Sequence, residues 1–207
     1  KISPGSGIGS SAASAAASVF AANELFGKPF KDDELVKFGM IGEAVASGSF
    51  HADNVAPSLL GGVILIRSYT PLDIIKIPFP KNLFCALVLP DIEIKTIEAR
   101  NMLSKQVPLK KAITQWGNVA GLIAGLTTSN FPLIGRSLED VIVEPVRSVL
   151  IPGYYDIKNA AMKSGALGCN ISGSGPSIFA LCKSKHIAEN VSIEMQKVFL
   201  TKKIKSK

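Results

Sequence analysis

Cysteine is scarce in this sequence: Cys85, Cys169 and Cys182 are the three in 207 residues, widely spaced and each inside an apolar, strand-like run. An odd number so placed excludes a disulfide framework and a clustered zinc site, and it fits a reducing cytoplasm. No apolar run approaches the roughly 18 residues of a membrane helix, so nothing predicts a bilayer span. The start imitates a secretory signal only loosely. Lys1 is followed by Ala-Ser-Ala steps, but Ser10, Ser11, Ser14 and Ser18 interrupt what should be a continuous leucine-rich centre. Internal repeats are absent, and the alanine-rich stretch is the nearest thing to low complexity. Net charge is +7, with five lysines (Lys197, Lys202, Lys203, Lys205, Lys207) in the last eleven residues. They read as a solvated tail rather than a nucleic-acid surface. With 47% apolar and 19% charged residues, the chain is predicted to be soluble and folded, long enough for one domain or two small ones.

What is present in quantity is glycine in patterned loops. Residues 4–14 read Pro-Gly-Ser-Gly-Ile-Gly-Ser-Ser-Ala-Ala-Ser, a glycine-rich turn entering an alanine-rich helical segment. Glycines at alternate positions (Gly5, Gly7, Gly9) permit positive φ and close backbone approach to a ligand. The first amides of the following helix lack intrahelical partners, and the helix dipole adds roughly half a positive charge there. Together these suit a phosphate chain. Ser10 and Ser11 stand where a Walker A loop requires Lys, and the acidic pair Asp32 and Asp33 falls at another helix start rather than where a dinucleotide fold needs it. Taken alone, the loop also reads as a plain helix start with close packing.

Apolar periodicity and breakers predict helices over 11–26, from Asp32 to Gly48, and over 96–103, 109–128, 132–143, 154–163 and 186–200. Strands are predicted over 63–67, 74–79, 83–89, 167–172 and 177–182. A domain boundary is placed near Pro78 and Pro80. In the 109–128 helix, Leu109, Ala112, Ile113, Trp116, Val119, Ala120 and Ile123 recur at three and four, which predicts a buried face with Trp116 in the core. Glu43 lies near the C-terminal end of its helix, where a carboxylate opposes the dipole. It reads either as a partner for a metal or cation or as a solvated glutamate.

A second glycine-rich element, Ile171-Ser-Gly-Ser-Gly-Pro-Ser177, sits between two apolar strands far from the first. With residues 4–13 it resembles the second and third motifs of the GHMP small-molecule kinases, which include galactokinase, mevalonate kinase and homoserine kinase. The segments His51-Ala-Asp-Asn-Val-Ala-Pro-Ser-Leu-Leu-Gly-Gly62, Thr96-Ile-Glu-Ala-Arg100 and Asp140-Val-Ile-Val-Glu-Pro-Val-Arg147, with Ile151-Pro-Gly153, look like the homoserine-kinase branch of that family. The five segments cover nearly the whole chain.

The resemblance implies an α+β, two-domain GHMP kinase fold: an incomplete N-terminal ribosomal-protein-S5-like, ATP-binding domain over 1–80 and a C-terminal ferredoxin-like domain over 81–207. It implies ATP and Mg2+ as cofactors, L-homoserine as the phosphorylated alcohol, a place in threonine biosynthesis, and often a homodimer. Pro4, Gly5, Ser6, Gly7, Ile8, Gly9, Ser10, Ser11, Ala12, Ala13 and Ser14 would surround the ATP phosphates. Ser11 and Glu43 would hold the metal, with Ser10 the alternative hydroxyl. Asn54 would stabilise charge on the transferring phosphoryl group. His51, Arg100 and Arg147 would grip the amino acid, the arginines because a guanidinium pairs bidentately with carboxylate. Gly173, Ser174 and Gly175 would shape the floor. Outside its His-Ala-Asp-Asn setting, His51 reads as a structural histidine. Asp53 is a candidate general base, although the resemblance implies catalysis by positioning and charge stabilisation. Members of the family begin with a further segment carrying the first motif and adenine-side contacts. The chain opens at Lys1 without Met, so it is expected to be the C-terminal part of such an enzyme, with an exposed sheet edge and unburied helix faces. A kinase of a different small alcohol and a non-catalytic remnant binding a metabolite or partner are the alternatives.

Overall fold

The structure, a computed structural model, describes residue 2 and residues 4–48, 50–94 and 96–207. Two compact units account for it, the first built on Ile8–Pro78 and the second on Phe79–Lys207, to which Gly5–Gly7 also belong.

Small residues organise the first unit. Helix α1 (Ser10–Leu25) starts directly after Gly9, and α2 (Asp32–Ser47) carries Asp32, Asp33 and Glu34 in its first turn, where acidic groups complement the dipole. Gly42 lies against Ala15, and a Cβ on Gly39 would come 2.6 Å from Val55, in the short helix α3 (Val55–Leu60). Such approach is open only to residues with little or no side chain. Asn23 pins the link between α1 and α2, its amide donating to Phe30 O at 3.0 Å and its oxygen accepting from Phe30 N at 3.1 Å. The antiparallel hairpin β1 (Val63–Tyr69) and β2 (Leu72–Ile77) turns at Thr70 and Pro71. Its Ile64, Ile66, Leu72 and Ile74 pack on a core of Ala12, Val36, Ala52, Val55 and Ala56.

In the second unit, β3 (Phe84–Val88), β4 (Gly168–Ile171) and β5 (Ile178–Cys182) form an antiparallel sheet in the order β3-β5-β4. Period-two alternation sends Ile178, Ala180 and Cys182 to one face. There they meet Ile157 and Ala161 of α8 (Tyr154–Lys163) and Val191, Met195 and Phe199 of α9 (Lys185–Thr201). Burial pushes the Cys169 thiol up to about 12 and that of Cys182 to about 11, which leaves both as packing residues without thiolate chemistry. The lysine-rich end exposes its lysines but is not loose, since Lys207 exchanges two backbone hydrogen bonds with Leu89, each 2.9 Å.

Among the described residues, this unit also holds the helices α4 (Thr96–Asn101), α5 (Leu109–Thr127), α6 (Phe131–Ser137) and α7 (Glu144–Arg147), the last continued by a 3₁₀ turn over Ser148–Leu150. Two sequence expectations fail here. The helix expected over 132–143 stops at Ser137, because Asp140 Oδ1 accepts from the amides of Ile142 and Val143 at 2.8 Å each and offers them a turn instead. Trp116 is 62% exposed rather than in the core, and Leu109 and Ile113 are exposed beside it. Helix α5 packs on α6 by its glycines. A Cβ on Gly121 would lie 2.5 Å from Ser137 Oγ, and one on Gly125 would lie 2.9 Å from Ile134. Close backbone approach along that stripe, not the larger apolar face, sets the helix orientation. Among the described residues, no helix is long and apolar enough to cross a membrane.

Candidate active site

Three alternate glycines of the first loop, Gly5, Gly7 and Gly9, have φ of 66°, 76° and 75°. The Gly5–Gly7 stretch is built against the second glycine-rich loop, between β4 and β5. Ser177 donates to Ser6 O through its amide at 3.2 Å and its hydroxyl at 2.5 Å, and Ser172 Oγ donates to Gly7 O at 3.0 Å. A Cβ on Gly7 would lie 2.5 Å from Gly175 O and 2.6 Å from Ser172 O, and one on Gly173 would lie 2.9 Å from Gly7 O. Residues about 165 apart in sequence thus meet backbone to backbone. Ser6 is buried, and among the described residues its hydroxyl meets no hydrogen-bond partner.

Gly7→Ala therefore faces two costs, a left-handed φ and carbonyls that cannot retreat. Gly27 has φ of 77° and open space around it. Gly7→Ala is expected to destabilise by roughly 1–3 kcal/mol more than Gly27→Ala, the usual cost of overpacking. Thermal unfolding of the two variants checks this, and equal shifts would count against the close-packed loop pair.

In the first unit, α1 and α2 bring Ser11 to Glu43, and Ser11 Oγ donates to Glu43 Oε1 at 3.0 Å. Glu43 is 7% exposed, and its Oε2 is buried with no hydrogen-bond partner among the described residues. The solvated reading of Glu43 is thereby excluded. Ser10 turns elsewhere, its hydroxyl donating to Ile2 O at 3.1 Å. An orphaned carboxylate oxygen beside a hydroxyl is a hard-oxygen donor set that fits Mg2+, which takes few protein ligands and completes its shell with water and phosphate oxygens. No cluster of three or more His, Cys, Asp or Glu side chains that could hold a metal occurs among the described residues.

Asn54 lies across the same loop, its Oδ1 2.9 Å from where a Gly9 Cβ would be. It precedes α3 and accepts from Ser58 Oγ at 2.7 Å through its backbone oxygen. Asp53 Oδ1 accepts from the Asn54 amide at 3.1 Å, a local turn contact rather than the posture of a free base. His51 is half-buried at the start of this segment.

The second unit holds the arginines. Arg147, at the end of α7, donates through Nη1 to Gly173 O at 2.8 Å and weakly through Nε to Ala99 O at 3.5 Å. Both acceptors are neutral carbonyls. Partial burial and the charge of Arg100 push the Arg147 guanidinium below its ordinary value, partly offset by Asp140. A partly buried cation whose charged form is disfavoured gains from a nearby anion. Ser174 is half-buried, and Gly175 is buried under Ile151, Ile171 and Ile94. Of the remaining loop residues, Ala12 is fully buried, whereas Ile8, Ala13 and Ser14 keep some exposure.

Residues 1–62 match the GHMP kinases N terminal domain, and residues 122–200 match the GHMP kinases C terminal domain. The chain belongs to the GHMP kinase family. The fold expected from its motifs is borne out. Among curated GHMP kinases it is similar to homoserine kinase of Chlorobium phaeobacteroides strain BS1, 58% identical over 97% of this chain and 62% of the relative. Homoserine kinase of Methanococcus maripaludis strain S2 is 43% identical over 91% of this chain and 62% of the relative. The crystal structure of homoserine kinase from Cytophaga hutchinsonii matches with a TM-score of 0.98 at 54% identity, covering all of this chain and 66% of that one. L. major mevalonate kinase in complex with R-mevalonate, at 21% identity and a TM-score of 0.75, covering 95% of this chain and 63% of that one, shares the fold. The chain spans about 62% of the length of the curated relatives it matches. One buried polar contact of this chain had no clear signal in the sequence: Glu144, paired with Lys158. Its signal was only an acidic residue ahead of Pro145, where a helix start is already common.

Proposed function

We propose that this protein transfers the γ-phosphoryl group of ATP to the side-chain hydroxyl of L-homoserine. The hydroxyl oxygen forms the new bond to γ-phosphorus, the bond to the β–γ bridging oxygen breaks, ADP leaves, and the hydroxyl proton passes to solvent. The observation that carries the reading is the Arg147 guanidinium, braced on two carbonyls beside Arg100 within a segment matching homoserine kinases at 58% identity. A sugar or another uncharged alcohol has no use for such a pair.

In this reading the loop from Pro4 to Ser14 wraps the ATP phosphates, its positive-φ glycines and the first amides of α1 supplying donors. Ser11 and Glu43 hold Mg2+, which when bound offsets charge on the phosphate oxygens. Asn54 polarises the transferring group. His51, Arg100 and Arg147 orient the amino acid, with Gly173, Ser174 and Gly175 beneath it. No dedicated base is required, because the phosphoryl-transfer transition state is loose and alignment with charge neutralisation supplies most of the acceleration. Residues 1–80 would serve as the ATP side and 81–207 as the C-terminal domain, in a cytoplasmic enzyme.

The test is ADP release by the intact natural protein with Mg2+ and L-homoserine, with O-phospho-L-homoserine identified by phosphorus NMR. Turnover is expected with L-homoserine. 3-Aminopropanol, which keeps the amine and alcohol but lacks the carboxylate, should lose on the order of 10²-fold in kcat/KM. Equal turnover of mevalonate, or indifference to the carboxylate, would overturn the substrate assignment. ATP binding with no ADP release would favour a non-catalytic role.

A further inference from the structure

Helix α7 is a single turn with Glu144 at its first residue and Arg147 at its last. So short a helix does not hold itself, because nucleation is costlier than the few bonds it makes. What fixes the direction in which Arg147 leaves the backbone must lie outside it. Asp140 shapes the approach through Ile142 N and Val143 N, and Ser148 Oγ donates to Pro145 O at 3.2 Å beyond the first residues. Glu144 supplies the third and strongest restraint. It is 5% exposed, and Lys158 Nζ donates to both its carboxylate oxygens, at 2.6 and 2.7 Å.

Lys158 belongs to α8, whose Ile157 and Ala161 are fully buried against the sheet. The pair therefore ties a turn that cannot stand alone to a helix seated in the core of the second unit. Stability is a poor reason for it. Taking two charges out of water costs as much as their attraction returns, and apolar replacements of a buried pair are often neutral or stabilising. What charges give and apolar contacts do not is direction, here two short bonds on a forked acceptor.

We propose that the Glu144–Lys158 pair is a positioning device for substrate recognition, locking α7 to α8 so that Arg147 presents its guanidinium to the carboxylate of the amino-acid substrate. This rests on the reading that Arg147 meets that carboxylate. Glu144 and Lys158 are positioning residues and act through Arg147. The Arg147 Nη1 bond to Gly173 O then sets the rotation of the fork, while the pair sets where its stem begins.

The test uses the intact natural protein carrying Glu144→Gln with Lys158→Met, which removes both charges together and leaves neither buried alone. The expected result is a KM for L-homoserine raised roughly tenfold or more, a KM for ATP within about twofold of the parent, and an unchanged unfolding midpoint. In an Arg147→Ala background the same double change should add almost nothing, because the residue it positions is gone. A normal KM for L-homoserine in the folded double variant overturns the proposal, as does a loss that adds in full to that of Arg147→Ala. If the double variant does not fold, Glu144→Asp keeps both charges and withdraws the carboxylate by one methylene. It is measured in the same way, with the same outcomes supporting or overturning the proposal. An Arg147→Ala protein that keeps its KM for L-homoserine instead defeats the substrate reading itself, a result separable from a normal pair variant beside a defective Arg147→Ala.

Discussion

Arg147→Ala is expected to lower kcat/KM for L-homoserine on the order of 10²–10³-fold, about 3–4 kcal/mol of lost transition-state binding, and to do far less to basal ATP hydrolysis. The guanidinium is partly buried and held by Gly173 O and Ala99 O, and its charged form is disfavoured first by that burial and then by the charge of Arg100. A carboxylate brought to it offsets that penalty and adds new hydrogen bonds. Removing Arg147 forfeits both, and the loss should fall mainly on the KM for the amino acid. Arg147→Lys restores charge but not the planar fork, so roughly a tenfold deficit should persist. Steady-state kinetics with each substrate varied in turn decides the matter. A fall in ATP hydrolysis equal to the fall in homoserine turnover would place Arg147 at the nucleotide and not at the amino acid.

The second large effect belongs to Glu43, and it moves activity and stability in opposite directions. Glu43→Gln keeps an oxygen to accept from Ser11 Oγ while removing the charge from a side chain that is 7% exposed. If Glu43 serves Mg2+, turnover should fall by on the order of 10²–10³-fold, as when one charge-stabilising group is lost, and the dependence of rate on Mg2+ should shift to higher concentration. The protein without nucleotide should gain stability, because a carboxylate with one oxygen buried and unpartnered gives way to a neutral amide, and keeping a charge out of water costs more than keeping an amide there. Functional sites commonly carry that cost. A structural glutamate would behave in reverse. Glu43→Gln would then unfold at lower temperature and leave the Mg2+ dependence untouched, a pair of results that would remove Glu43 from the metal site. Thermal unfolding with and without Mg2+ and ATP, beside the rate measurement, separates the cases.

Much of this was legible in the linear sequence because its signals are local. Alternate glycines before an alanine-rich run announce positive φ and a helix start, and Gly5, Gly7 and Gly9 have that conformation. Asp32 and Asp33 announce a helix N-terminus, and α2 begins at Asp32. Strand alternation in β5 and the helical period of α8 follow from side-chain geometry alone. The α5 face was misread for an equally physical reason. Periodicity says which residues share a face, but not whether that face or a glycine stripe beside it wins the neighbouring helix. Gly121 and Gly125 won it, since helices approach most closely where no side chain intervenes.

By itself the sequence determined the order of the longer helices and of the five strands, the two glycine-rich loops and the kinase family they belong to, because backbone permissiveness and side-chain period are properties of neighbouring residues; the short helices α3 and α7 were outside its reach. The tertiary structure decided that Ser11 and not Ser10 faces Glu43, that one Glu43 oxygen is left buried without a partner, that the two loops meet through Gly7 and Gly175, and that Glu144 is clamped by Lys158. Each of these is a relation between atoms distant along the chain. Burial and hydrogen-bond geometry, which arise only when the chain has folded, choose among the partners that sequence leaves equal.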